Sequence, residues 1–248
     1  MRLSEKEKAA NLAAFHEMSP AKKLEHIYTY FRWPILLGLI ALIVLGSLIR
    51  HFLTKKEPVL YLAAVNVAVG PELQQSLTED YLYAAGLDAS RMEVFLYGDL
   101  YVSEDPDTVN REFAYASKIK IMGSIESRQL DAVIMNREAY DLFSASGFLL
   151  DLPAFLAGND PLLLRHISPM LTDNEVILED NAIEWKLDEV PTHEVVTETL
   201  TNGIAVNGLP LFREAGFADE LYLGIIANTE RAEQVLAYLN YLTAAPQP

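Results

Sequence analysis

The sequence predicts an α/β domain on a parallel sheet, preceded by one transmembrane helix. Three observations predict it. Pro34 to Leu53 reads PILLGLIALIVLGSLIRHFL, uncharged from Ile35 to Ile49 with Ser47 its only polar side chain there. Beyond it, short apolar runs alternate with helix-period segments, as a sheet covered on both faces requires. Charge also divides at that point. Residues 1–56 hold nine Lys or Arg and four Asp or Glu, which leaves ten and thirty-one for 57–248, nets of +5 and −21 in a chain of −16.

Twenty residues at a helical rise of about 1.5 Å span about 30 Å, the depth of a bilayer's hydrocarbon core. Tyr28, Tyr30 and Trp33 before the run suit an aromatic interface belt, and Arg50, Lys55 and Lys56 after it can reach headgroups. Buried helices of soluble domains are seldom apolar on every face. No small-x-small cleavage pattern follows Leu53, so one uncleaved span over 34–53 is expected. The cations nearest its two ends balance. Arg2, Lys6 and Lys8 tip the orientation toward a cytoplasmic N-terminus and an extracytoplasmic domain in the cell membrane.

Residues 1–33 read as a cytoplasmic tail. Ser19-Pro20 supplies a helix start, and Leu24, Ile27, Tyr28 and Phe31 form one apolar stripe, the pattern of an interfacial amphipathic helix. Gly38 and Gly46 are not four apart, so no small-xxx-small pairing motif is present. Residues 54–58 are the linker.

The domain over 59–248 opens with the apolar strand Val59–Val67, and Gly70-Pro71 starts a helix that runs through Leu73, Leu77 and Tyr81 to a stop at Gly86. Met92–Tyr97 is a second strand, followed by an acidic loop from Gly98 to Asp107. A helix is expected over about 109–127, and a third strand over Asp131–Met135. Asn136 caps a helix that Gly147 ends. Glu175–Leu178 and Ala182–Leu187 are strand-like, and Gly203–Phe217 is an apolar segment.

Leu130 to Leu156, LDAVIMNREAYDLFSASGFLLDLPAFL, resembles the strand–helix–"G-x-LLDL" stretch of extracellular solute-binding proteins, the receptors of ABC importers, with Gly147 and Leu149–Leu152 in the matching places. Leu221 to Leu242 is similar to that family's returning strand and helix through Gly224, Asn228, Thr229, Val235, Leu236, Tyr238, Leu239, Tyr241 and Leu242. The resemblance implies a periplasmic-binding-like lobe. Only 153–220 lies between the motifs, so it also implies a reduced second lobe. Residues Lys23 to Pro34 further resemble the start of a set of bacterial single-span proteins.

The sequence has no GxSxG, HExxH, Gly-rich phosphate loop or CxxC, and no cysteine. His166 and His193 lack spaced partners. Asp99, Glu104, Asp105 and Asp107 lack the alternation and glycine of a calcium loop, and Asp173, Glu175, Glu179 and Asp180 read as solvated charge. No catalytic constellation assembles, so neither an enzyme nor a cofactor or metal site is expected. A domain this acidic also argues against nucleic acid, and against anionic lipid bound by a basic face.

Ligands of open parallel sheets meet the carboxyl ends of strands, where helix N-termini present free N–H groups. The candidate ligand residues there are Asn66, Gly70, Tyr97, Asp99, Asn136 and Tyr140, whose amides and rings suit a small polar solute. Each has a plainer reading as a strand end, a cap or core. Two functions follow. One is a membrane-anchored solute-binding module, partnered by an importer permease or another membrane protein. The other is a degenerate lobe serving as a protein-interaction or assembly domain. In both, residues 34–53 contact membrane lipid.

Overall fold

The computed structural model describes residues 19, 33–48, 50, 55–103, 110–180 and 195–244. The tail stripe, the Ala182–Leu187 run, His193 and residues 104–107 of the acidic loop lie outside these. The chain divides into two compact units, residues 1–55 and 56–248. In the first, residues 33–48 are helical with their apolar side chains exposed, Leu42 at 69% and Ile43 at 64%. Among the described residues no helix is long and apolar enough to cross a membrane. The expected span of 34–53 extends past that helical run into residues outside the description.

The second unit is built on one six-stranded sheet of order β2-β1-β3-β6-β5-β4. Strand β1 (Glu57–Val65) leads through helix α1 (Pro71–Gln75), a π-helical turn (Ser76–Asp80) and α2 (Tyr81–Ala84) to β2 (Met92–Leu100). Helix α3 (Arg111–Glu126) returns the chain to β3 (Ala132–Met135), and α4 (Arg137–Ala145) follows. Helices α5 (Leu152–Asn159) and α6 (Pro161–Ile167) precede the hairpin of β4 (Leu171–Asp180) and β5 (Val195–Ala205). Helix α7 (Pro210–Ala215), β6 (Tyr222–Ile225) and α8 (Ala232–Thr243) complete it.

The α/β class and the first three strands agree with the sequence. The sheet is mixed, however, where a parallel one was expected. β1 runs parallel to β2 and β3, whereas β6 is antiparallel to β3, β5 to β6 and β4 to β5. The reason is connectivity. A hairpin joins β4 to β5, and β6 enters beside β3 from the opposite end. Residues 153–220 thus extend the first sheet with two strands and cover it with α5, α6 and α7.

Strand alternation sorts the core into two layers. Leu60, Leu62 and Ala64 of β1 pack with Leu77, Tyr81, Leu156, Phe212 and Tyr238 on one face. Ala63 and Val65 pack with Ile121 and Ile125 of α3 and with Tyr140 and Phe143 of α4 on the other. From β1 the chain moves to β2 over the first face and then to β3 over the second. The winding reverses at β1, so the crevice at the carboxyl ends of β1 and β3 is the switch point where such sheets hold ligands.

Candidate functional site

At that crevice the backbone of Asn66 turns into the left-handed region at φ +58°, which asparagine tolerates better than most residues. Its amide closes a ring with one residue beyond β2. Asn66 Nδ2 donates to the Val102 carbonyl, and Val102 N–H donates to Asn66 Oδ1, both at 2.8 Å. Asn136 caps α4 as expected, its Oδ1 accepting from Ala139 N–H at 3.0 Å. Asp99, also at positive φ, is exposed at the end of β2.

These three residues meet in an open depression of about 530 Å³ lined also by Tyr101, Phe113 and Glu138. Ser103 Oγ donates to Glu138 at its rim at 2.7 Å. Glu138 and Phe113 were not foreseen. The first-turn acid of α4 is a signal for Glu138, but Phe113 lies three residues into a helix whose orientation no local pattern gives.

The other three residues lie elsewhere. Gly70 precedes α1 and borders a separate hollow with Leu73, Leu211 and Phe217. Tyr97 stands on the sheet face, its ring 4.7 Å from that of Phe95. Tyr140 is fully buried and offers no ring face to a solute. Its ring stacks on Tyr222 at 4.6 Å, and its hydroxyl donates to Asn202 Oδ1 at 2.8 Å or to the Thr172 carbonyl at 3.0 Å. Burial pushes its hydroxyl pKa well up. The β4–β5 hairpin makes this burial: Ser144 Oγ bonds the Glu175 carbonyl, and Asn202 Nδ2 bonds Ser144. A Cβ on Gly203 would lie 2.5 Å from the Tyr140 ring, so glycine there admits the tyrosine.

At the opposite end of β3, Asp131 is fully buried. Its Oδ2 accepts from Tyr61 N–H at 2.8 Å and its Oδ1 from Thr229 at 2.6 Å, with the Arg231 guanidinium 3.4 Å away. Arg231 also donates to the Arg128 carbonyl at 2.9 Å and lies over the Tyr61 ring at 4.7 Å. Next to this, Leu149 bridges Ile226, and Leu150 N–H bonds the Ile225 carbonyl at 3.0 Å. The two stretches singled out in the sequence, 130–156 and 221–242, are therefore one packed unit. Asn228 belongs to it, donating to the Ile125 carbonyl at 2.8 Å.

Comparison with protein-family models, curated proteins and solved structures gives no match for this chain.

Proposed function

We propose that this chain is a non-catalytic, membrane-tethered domain that serves protein interaction or assembly on the extracytoplasmic face, without a small-molecule ligand. One observation carries this reading: the β4–β5 hairpin buries Tyr140, an expected ligand residue, and ties its hydroxyl and that of Ser144 to strand carbonyls. Asn66 and Asn136 likewise direct their amides to backbone groups of the chain itself. The anchor rests on the apolar run of 34–53, and the outward orientation on the tail cations.

The test has three arms. Protease added to intact cells should trim 57–248 and leave the N-terminal tail. Cross-linking in untreated cells should join the domain to another chain, while a thermal-shift screen of sugars, peptides and other polar solutes finds no stabiliser. A domain protected until the membrane is opened reverses the orientation.

The second reading is a solute-binding-like module serving a transporter or sensor. The meeting of Asn66, Asp99 and Asn136 in one depression favours it, together with the resemblance of 130–156 and 221–242 to solute-binding proteins. It predicts a stabilising solute whose effect Asn136→Asp abolishes. That substitution keeps the cap and adds charge to the depression. At a hundred times its dissociation constant such a solute adds about 2.7 kcal/mol.

A further inference from the structure

The geometry points to a lipid-facing patch on the domain itself: Tyr61, Phe95 and Tyr97, with Lys120 and Arg231, rest on the headgroup region of the bilayer that holds the tether. The inference rests on the tethered reading above and adds which side of the domain meets the membrane.

The three rings form a continuous platform. Tyr61 and Phe95 are register partners on β1 and β2 with centroids 5.9 Å apart, Phe95 lies 4.7 Å from Tyr97, and Tyr61 lies 6.4 Å from Tyr97. Alternation places them on the α3 side of the sheet, yet Phe95 is 40% exposed. A sheet face is normally covered by a helix or meets a partner. Both outer rings carry a cation, Arg231 at 4.7 Å over Tyr61 and Lys120 at 5.2 Å over Tyr97. Tyrosine rings with polar tips and long cationic side chains lying along them are the chemistry of a membrane interface. On the same side, the outward stripe of α3 exposes Tyr115, Ile119 and Met122 at 68, 54 and 42%.

Charge does not oppose this occupant. Lys118, Lys120, Arg128 and Arg231 are four of the ten cations in 57–248. Glu93, Glu126, Asp131 and Glu230 balance them, so this side is neutral in a domain of −21. The acidity of the whole domain argued against anionic lipid. Locally it does not, since charges more than about 8 Å from the contact are screened at physiological salt.

The tether supplies proximity. β1 opens at Glu57, four residues past Leu53, and Tyr61 follows about 13 Å along the strand. A weak patch so placed acts at high effective concentration toward its own bilayer. A second copy is the less fitting occupant. Three partly covered rings, each burying about 200 Å² at most, fall short of the roughly 800 Å² per partner of a stable complex.

The chain has no cysteine, so Phe95→Cys and, as a control on the hairpin, Thr197→Cys each give one spin-labelling site. The full chain is reconstituted in phosphatidylcholine vesicles with and without phosphatidylglycerol. The label at 95 should lose accessibility to a water-soluble nickel chelate and gain accessibility to oxygen, more so with phosphatidylglycerol, while the label at 197 stays open to nickel. Lys120→Glu should return the label at 95 toward the control. Lys120→Cys reads the same patch from α3, should Phe95→Cys disturb the sheet. Chain that floats with vesicles after a high-salt wash but leaves both 95 and 120 open to nickel overturns this inference and leaves the tether standing. Chain that does not float overturns both. Protection that vanishes as protein is diluted in lipid assigns the patch to a second copy, and this inference is then wrong.

Discussion

Thr229 Oγ1 donates to Asp131 Oδ1 at 2.6 Å, tying the start of β3 to the loop after β6 across 98 residues. The same hydroxyl accepts the Arg231 N–H at 3.1 Å, so one side chain orders both the carboxylate and the arginine that partly neutralises it. Thr229→Val keeps the shape and removes the donor, leaving a buried carboxylate oxygen short of one hydrogen bond. A loss of about 1–3 kcal/mol is expected by urea denaturation. A variant as stable as the parent would mean that water replaces the hydroxyl.

Gly203 and Tyr140 form the second tight pair. Gly203→Ala places a methyl carbon 2.5 Å from the phenol carbon and oxygen, in a strand backbone that cannot yield easily. The expected cost is about 1–3 kcal/mol, the usual range for overpacking. Tyr140→Phe should cost a similar amount by a different route, since Asn202 and the Thr172 carbonyl lose their donor. The hydroxyl contributes only part of the clash, so Gly203→Ala should remain costly on the Tyr140→Phe background. A double variant as stable as Tyr140→Phe alone would show that the hydroxyl was the whole obstacle.

Asn66 combines positive φ with two hydrogen bonds to Val102. Asn66→Gly removes the bonds but suits the backbone, and Asn66→Ala loses both advantages. Alanine should therefore be the less stable by about 1 kcal/mol. Equal melting temperatures would mean that the backbone relaxes out of the left-handed region.

Asp160 caps α6. The Leu163 N–H, followed by the Asn240 amide, holds its carboxyl below the ordinary range. Its folded pKa is depressed, so its contribution is present above the unfolded value near 3.9 and lost as pH falls through the lower folded value. Asp160→Asn keeps a cap at every pH. The fall in melting temperature from pH 6 to pH 3 should be smaller in this variant than in the parent.

Much of the sheet's first half was legible in the sequence because local chemistry decides it. Asn136 is a cap wherever a helix follows it, and Gly86 and Gly147 end helices at φ +67° and +69°. The direction of β6 was not legible. Tyr222–Ile225 is buried on both faces, and a four-residue apolar run reads alike whichever way it enters. Tyr140 shows a similar limit. Helical spacing puts it on the inward side of α4 with Phe143, but whether inward means a cleft or a core depends on residues 172–203. The Asn202-Gly203 pair inside a strand was the available sign, a polar group and a gap that together fit one tyrosine hydroxyl. The platform of Tyr61, Phe95 and Tyr97 was hidden for another reason. Alternating aromatics are ordinary strand residues, and only the placement of α3 leaves them uncovered.

The central position of β3 has a consequence for synthesis. One of its neighbours, β1, leaves the ribosome before it, but the other, β6, follows only after roughly 90 further residues, about 5 to 18 s at ordinary elongation rates. Throughout that interval Ala132–Met135, an apolar strand with no charge, has one unpaired edge in the nascent chain. A ribosome stalled before Tyr222 would therefore display an aggregation-prone edge until the segment that caps it is made.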